Sequence, residues 1–391
     1  MSGVRRLLIE GWRFIHHSYA LVAQSYCLCL LRRPDVDLRF VDLPYYFKRW
    51  RRIGGVFTAE QEALLAGLRA PEPDFLPQAT LTMRPECPDF SAPRSGRRFA
   101  FGTSEYRVLA EDKRSGLRSA AEVPDTVSMV TPSRWSALAY ERFGLPCERI
   151  HVVPCGIDLG VLRPDAAARD ATREALGLRD AFVYLSAGAM TWNKGLDVLL
   201  AAFARVAETE PWARLFLKGA DALYSSRDMV RAVLDHLPAR VRETVVARLI
   251  YNGDTYSSRM MGDLFRAADV YVSPYRAEGF NLPVLEAAAC GVPVICTAGG
   301  PTDEFTQESF ARRIRSTPTQ MPPGAPEVGD YLEPDLDHLI ELMRRALHER
   351  DHAARASAAG AAYVAEHFTW ERVTERLVEV LFPGVTAATR Q

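Results

Sequence analysis

The sequence predicts an α/β protein of two doubly wound parallel-sheet domains in tandem, and three observations predict it. Apolar runs of strand length alternate with amphipathic stretches of helix length along most of the 391 residues, the pattern of parallel sheets covered by helices. That length suits two domains. The alternation runs twice, and between the two series residues 155–175, with Gly156, Gly160, Pro164 and a run of Asp, Ala and Arg, read as a hinge.

In the first series, strands are expected at 6–10, 38–41, 80–83, 98–101, 127–130 and 151–153. Thr58 and Gln61 form a capping box before a helix over 60–68, and Ser133 is placed to cap a helix over 135–143. Ser18 is expected to cap the helix that follows the first strand. In the second series, strands at 183–187, 214–217, 249–251, 270–273 and 292–296 alternate with helices at 196–209, 228–237, 258–267 and 282–289. The segment 317–326 carries four prolines and reads as a loop, followed by helices at 335–348, 353–365 and 369–381. The expected domains are 1–160, with a returning helix over 369–391, and 161–368.

Composition narrows the function. Forty-eight basic and 49 acidic side chains give a net charge of −1, which leaves no global field for a phosphate backbone and argues against a nucleic-acid partner. Seven scattered cysteines lack the spacing of a zinc site or a disulfide framework. The apolar stretch 20–31 is too short to span a bilayer, and no signal-peptide order of basic start, apolar run and cleavage site is seen, so a cytoplasmic location is expected. Only four lysines occur, Lys48, Lys113, Lys194 and Lys218, so a lysine at a motif position stands out.

The stretch 270–300 is the most informative. A buried strand ends at Pro274, a loop carries Glu278 and Gly279, and a helix opens near Leu282 with Asn281 as its expected N-cap and Pro283 in its first turn. Ligands of open parallel sheets sit at such carboxyl-end loops, and a helix start offers unpaired amides to an anion or a sugar oxygen. Glu278 and Glu286 can each accept hydrogen bonds from a diol; equally, Glu286 can serve the helix dipole and Glu278 be a solvated loop residue. A second candidate is SAGAMTWNKG, residues 186–195, where Gly188 lets the backbone approach an anion and Lys194 supplies a point charge, or is simply an exposed lysine.

Four segments in order, VVPCGID from Val152, NKGLDVLL from Asn193, LFRAADVYVSPYRAEGFNLPVLEAAACGVPV from Leu264 and FTWERV from Phe368, resemble the retaining glycosyltransferases of family 4, which have the GT-B fold of two Rossmann-like domains facing a cleft. The resemblance is strong over 125–381 and in strand order alone before that. It implies transfer of a hexose-type sugar from a nucleotide diphospho-sugar to the hydroxyl of an acceptor, a natural product, a lipid-linked glycan or a polysaccharide, with no cofactor besides that co-substrate. Glu278 would bind sugar hydroxyls, Glu286 the ribose, and the amides of Phe280, Asn281 and Leu282 the sugar and diphosphate. Lys194 would neutralise the diphosphate, Tyr251 and Asn252 would line the base, and Gly299 and Gly300 match a second glycine pair. The helix over 369–381 would cross back to the first domain.

Two departures are visible. The family's second diphosphate cation follows the glycine matched by Gly188, where this chain has Ala189; Arg276 and Arg13 are the candidate substitutes. A family histidine after a first-domain strand is missing, and Glu105 is the candidate for its place, as a third catalytic residue beside Glu278 and Lys194. The missing arginine motivates an alternative, a nucleotide-sugar-binding protein with weak or lost catalysis. A phosphorylase of the same architecture is disfavoured for want of a lysine set for pyridoxal phosphate.

The other motifs are less specific. Two Asp-x-Asp pairs, Asp35 with Asp37 and Asp335 with Asp337, sit at a turn and at a helix start, so they are expected to cap rather than to bind a metal. Arg13, His16 and His17, in the loop after the first strand, are candidate acceptor contacts or solvated loop residues. The run YYFKRWRRIGG, residues 45–55, interleaves aromatics with four positive charges. It suits a solvated face, a phosphorylated acceptor or peripheral contact with an anionic membrane.

Overall fold

The computed structural model describes residues 3–85 and 87–384. Its contacts divide the chain into two units, Met1–Gly156 with Phe368–Gln391, and Ile157–His367. The end of the expected returning segment, 385–391, lies outside the described residues.

The first unit runs β1 (Arg5–Gly11), α1 (Ser18–Leu31), β2 (Val36–Asp42), α2 (Ala59–Ala66), β3 (Ala79–Met83), β4 (Arg97–Phe101), β5 (Val127–Thr131), α3 (Arg134–Phe143) and β6 (Ile150–Val152). Its six strands are parallel in the order β2-β1-β3-β4-β5-β6. Leu7, Ile9, Leu81 and Val127 are fully buried, as expected for central strands covered on both faces. Thr58 and Gln61 make the capping box of α2, and Ser133 caps α3.

The second unit runs α4 (Ala166–Ala175), β7 (Phe182–Ala187), α5 (Leu196–Ala207), β8 (Ala213–Lys218), α6 (Ser226–His236), α7 (Ala239–Val246), β9 (Leu249–Asn252), α8 (Ser258–Ala267), β10 (Val270–Ser273), α9 (Leu282–Ala289), β11 (Val294–Thr297), β12 (Ala311–Ile314), β13 (Ser316–Gln320), β14 (Asp330–Pro334), α10 (Leu336–His348) and α11 (Arg350–His367). Its parallel sheet is ordered β12-β11-β10-β7-β8-β9. Successive strands β7, β8 and β9 fill one half and β10, β11 and β12 the other, so the direction of winding reverses between β7 and β10. Ligands of doubly wound sheets bind at the carboxyl ends of the strands at such a reversal.

A last helix, α12 (Trp370–Leu381), belongs to the first unit and packs on α1, with Trp370 edge-on to Tyr26 at 5.3 Å. Gly156 is required beneath it, because a Cβ there would lie 2.7 Å from the Trp370 backbone.

Four local expectations are corrected. The stretch read as a hinge contains α4, whose N-cap Asp165 accepts from the Ala168 amide at 2.9 Å. Arg173 fastens α4 to the sheet through the Ala267 carbonyl at 2.8 Å and Asp269 at 3.0 Å. The proline-rich stretch read as a loop holds β13, which pairs antiparallel with β14; a two-stranded ribbon tolerates Pro318 because an edge position needs no donor there. The helix α7 was not expected. Finally, His17 rather than Ser18 caps α1, its Nδ1 accepting from the Tyr19 amide at 3.3 Å.

Candidate functional site

Two loops leave the reversal point of the second sheet. After β7 the chain passes Gly188 and Ala189 into a single turn, Trp192–Lys194, and then through Gly195 into α5. After β10 it passes Pro274 to Glu278 and enters α9. The loops are bonded to each other: the Arg276 and Ala277 amides donate to the Asn193 carbonyl at 2.7 and 3.2 Å, and the buried Asn193 side chain donates to the Ala277 carbonyl at 3.1 Å. This pairing sets Lys194 Nζ 2.9 Å from Glu278 Oε1, with the lysine 25% and the glutamate 12% exposed. Two residues 84 apart in sequence thus form one ion pair at the winding reversal.

Glu286 lies about one turn into α9, and burial lifts its carboxyl from 4.5 to about 7. Tyr271, on β10, is bonded to the end of β7. Its hydroxyl donates to the Ala187 carbonyl at 3.1 Å and accepts from the Ala187 amide at 3.3 Å. Burial raises its ionisation well above the usual phenol range, and the negative charges of Glu278 and Glu286 raise it further.

The helix start departs from expectation. Asn281 occupies the N-cap position in a left-handed conformation (φ 74°), but its side chain caps nothing; it donates to Ser273 Oγ at 2.9 Å and so locks the loop onto β10. The Phe280 ring is buried against Phe305 at 4.7 Å. Gly279 precedes it and Leu282 opens α9.

Neither candidate replacement for the arginine missing at Ala189 holds. The Ala189 carbonyl accepts from Ser226 Oγ at 3.0 Å. Arg276 is 5% exposed and committed: it donates to both oxygens of Asp197 at 2.7 and 2.9 Å and to both of Glu333 at 2.8 and 2.9 Å, beneath the Trp192 ring at 4.6 Å. Its work is to hold the Lys194 turn, α5 and β14 in register. Arg13 lies in the first unit, bonded to Asp42 and the Leu65 carbonyl and set 4.5 Å over Phe40.

At the end of β9, Tyr251 donates to Asp221 and carries Arg227 4.7 Å over its ring, while Asn252 Nδ2 donates to Asp254 at 2.9 Å. Beside them stands a residue the sequence reasoning passed over. Lys218 ends β8, is 6% exposed, donates to the Gly219 and Asp254 carbonyls at 2.7 and 2.5 Å and sits 4.7 Å from the Tyr256 ring. Burial lowers it to about 8. Its rarity as a lysine, at the carboxyl end of a strand, was the available signal. Nearby, Gly188 donates its amide to the Lys218 carbonyl at 3.0 Å, and no atom lies within 4 Å of where a Cβ would stand. Gly299 and Gly300 follow β11, and a Cβ on Gly300 would meet the Tyr275 hydroxyl at 2.3 Å.

In the first unit the proposed acceptor contacts separate. Arg13 is a buried strut, as described, and is corrected from a ligand contact. His17 caps α1 among Trp12, Tyr19 and Trp50, at 5.2, 5.8 and 5.7 Å, and burial pulls its imidazole down to about 4, so it is neutral near pH 7. His16 is half-buried beside it. The Tyr19 hydroxyl pairs with Thr103 Oγ1 at 3.1 Å and accepts from the Thr103 amide at 3.0 Å, joining α1 to the loop after β4. Glu105 is half-buried in that loop, and after burial itself its negative charge raises the ionisation of Tyr19. Three of the four Asp-x-Asp carboxylates have structural duties: Asp35 pairs with Arg5 at 3.0 Å and with Arg33 at 3.1 Å, Asp37 pairs with Arg39, and Asp335 caps α10 at 2.9 Å, while Asp337 lies exposed in the first turn of α10.

Residues 181–315, which contain Gly188, Lys194, Tyr251, Asn252, Glu278 and Glu286, match the family model described as glycosyl transferases group 1. The mannosylfructose-phosphate synthase of Agrobacterium fabrum is 29% identical over 260 residues, covering 66% of this chain and 52% of that protein. A D-inositol 3-phosphate glycosyltransferase of Xylanimonas cellulosilytica is 38% identical over 165 residues, covering 40% of this chain and 37% of that protein. The chain thus spans about half, or less, of the length of these curated relatives. Among solved structures, Anabaena HepE, crystallised with UDP and glucose, superposes with a TM-score of 0.67 at 14% identity over 96% of this chain and 98% of its own. The sucrose-phosphate synthase of Thermosynechococcus elongatus gives 0.67 at 17% identity over the same shares. These likenesses carry the architecture: the chain has the GT-B fold, two units each built on a parallel six-stranded sheet with helices.

Proposed function

We propose that the chain is a retaining glycosyltransferase that moves a hexose-type sugar from a nucleotide diphospho-sugar, bound by the second unit, to an acceptor hydroxyl bound by the first. The observation that carries this reading is the Lys194–Glu278 ion pair at the winding reversal. As the glycosidic bond stretches, negative charge develops on the departing diphosphate. Lys194, held by Asn193 and by the Arg276 clamp, meets that charge together with the amides and dipole at the start of α9, and because these groups are aimed beforehand little reorganisation is needed. Glu278 accepts from the sugar hydroxyls and keeps the lysine oriented. In a front-face reaction the leaving phosphate oxygen takes the acceptor proton, so no protein nucleophile and no divalent ion is required. Turnover is expected to survive a chelator.

Saturable thermal stabilisation by one nucleotide sugar from a panel, with release of its nucleotide diphosphate when an acceptor is added, is the test. Stabilisation without release on any acceptor supports the second reading, a nucleotide-sugar binder without turnover, which Ala189 and the full commitment of Arg276 favour. No stabilisation by any member of the panel removes both.

Glu286 gives a pH prediction. It is assigned to the ribose diol, whose hydroxyls donate to the ionised carboxylate. With a folded value near 7 the carboxyl is mostly protonated at pH 6 and mostly ionised at pH 8, so the donor KM is expected to fall as pH rises through that interval. Glu286→Gln should flatten the slope, and a slope unchanged in that variant would rule out the assignment.

A further inference from the structure

We propose that Trp192 and Tyr331 form a ledge on the second unit that stacks against a sugar ring of a neutral carbohydrate chain. Trp192 opens the turn that ends at Lys194, and its indole is 45% exposed yet held on two sides. The buried Arg276 guanidinium lies 4.6 Å from the ring centroid, and Tyr331 of β14 meets the indole edge-on at 5.1 Å. The Trp192 carbonyl accepts from the Gly195 amide at 3.0 Å and from Arg276 at 3.2 Å. Arg276 is itself bonded twice to Asp197 and twice to Glu333, so the indole rests on a fixed support. Trp212, in the turn before β8, is the contrast: it is 48% exposed, and among the described residues no ring or cation packs on it.

Polar groups stand beside the ledge where a sugar would need them. In the ribbon Thr319 pairs with Tyr331 and Thr317 with Glu333, so strand alternation puts these four on one face. Thr319 Oγ1 donates to the Thr317 carbonyl at 3.0 Å and keeps its lone pairs, while the Thr317 and Tyr331 hydroxyls meet no partner among the described residues. The face thus offers donors and acceptors for hydroxyls next to an aromatic surface for the C–H side of a pyranose.

Charge selects among ligands. Residues 316–335 contain four acids and no Lys or Arg, and Arg276 is a single cation between two carboxylates. A nucleotide, a nucleic acid or an anionic lipid would be repelled from such a surface. A stable protein partner needs about 800 Å² on each side, far more than one indole supplies. A neutral polyol with an apolar face fits both the rings and the charge. Calling the bound chain the acceptor rests on the transferase reading; the binding itself does not.

The test is calorimetric titration of the full chain with cellohexaose, maltohexaose and mannohexaose, all neutral, and with hexagalacturonate, which is acidic. Saturable binding of a neutral hexaose is expected, with the acidic one weaker by a margin that shrinks as salt is raised. Trp192→Ala is expected to lower the affinity about tenfold or more and Tyr331→Ala about threefold, the scale of losing a stacked ring or its edge partner. Trp212→Phe should leave it unchanged. Melting temperatures of the variants are compared with the parent's. If Trp192→Ala melts early because Arg276 loses its cover, acrylamide quenching of Trp212→Phe is read instead. The other four tryptophans are buried, so the accessible emission of that variant is that of Trp192, and bound hexaose should shield it. No binding of any neutral hexaose, undiminished affinity in Trp192→Ala, tighter binding of hexagalacturonate, or unshielded emission would each overturn the proposal. None of these readouts uses a nucleotide sugar, so failure here is distinguishable from failure of the transferase reading.

Discussion

Lys194→Ala is expected to lower kcat/KM for the nucleotide-sugar donor by about 10²- to 10³-fold, the range seen when one preorganised group facing developing negative charge is removed. Two losses combine. On the proposed reading the diphosphate loses a fixed cation in the turn after β7, and Glu278, 12% exposed, loses a partner at 2.9 Å and keeps its charge in a poorly solvated place. On that reading, the carboxylate without its lysine then repels the donor phosphates. Glu278→Gln removes that repulsion together with the sugar contact and is expected to reduce kcat strongly. Combined with Lys194→Ala it should cost less than the product of the two single effects, because the groups act as a pair. Steady-state kinetics on the two single variants and the double variant make the measurement. Strictly multiplicative effects would mean that the pair is not one functional unit, and near-normal kinetics in both single variants would remove the site assignment.

What was legible in the sequence follows from the range of the interactions involved. The buried strands of the second unit announce themselves as apolar runs such as Phe182–Ala187 and Val270–Ser273, because both faces of a central parallel strand are covered. Helices with local stop signals or caps were equally readable: α8 over Ser258–Ala267 and α9 over Leu282–Ala289 depend on neighbours within a few positions. The helix α4 was missed although its own composition, with five alanines, two arginines and a capping Asp165, favours a helix; the neighbouring Gly156, Gly160 and Pro164 drew the reading towards a hinge. The hairpin β13–β14 was hidden because Pro318 argues against a strand unless the partner, Leu332, is known.

The candidate site shows the same division. Lys194 and Glu278 could be named singly from loop–helix patterns, but that they touch is a consequence of strand order. The fate of the arginines was not legible at all. Arg13 and Arg276 looked like free cations near ligand loops, and each turned out to be held by acids distant in sequence, Asp42 for one, Asp197 and Glu333 for the other. An arginine offers five donors in a fixed fork, and when buried it collects carboxylates from several elements; such partners are set by tertiary structure and leave no periodic trace.

Gly195→Ala is expected to damage both stability and the donor site, and the reason is geometric. Gly195 closes the Lys194 turn in the left-handed region (φ 69°), and a Cβ there would lie 1.9 Å from the Pro274 carbonyl oxygen, inside any tolerable contact. The backbone strain alone costs about 1–2 kcal/mol. The overlap is with backbone, which has no rotamer to yield, so the two loops must part and the total loss is expected to reach about 3–5 kcal/mol. Parting them breaks the Asn193 pairing to Arg276 and Ala277 that holds Lys194 against Glu278. Gly177→Ala is the control: Gly177 has nearly the same φ, 65°, but nothing within 4 Å of its Cβ position, so it carries the strain without the collision. Urea unfolding of both variants, read beside donor-induced thermal stabilisation, separates the effects. Gly177→Ala should keep its donor response with a modestly lowered midpoint, whereas Gly195→Ala should lose the response and fall much further. Equal midpoints and equal donor responses in the two variants would show that the approach of Gly195 to Pro274 does not hold the Lys194 turn in place.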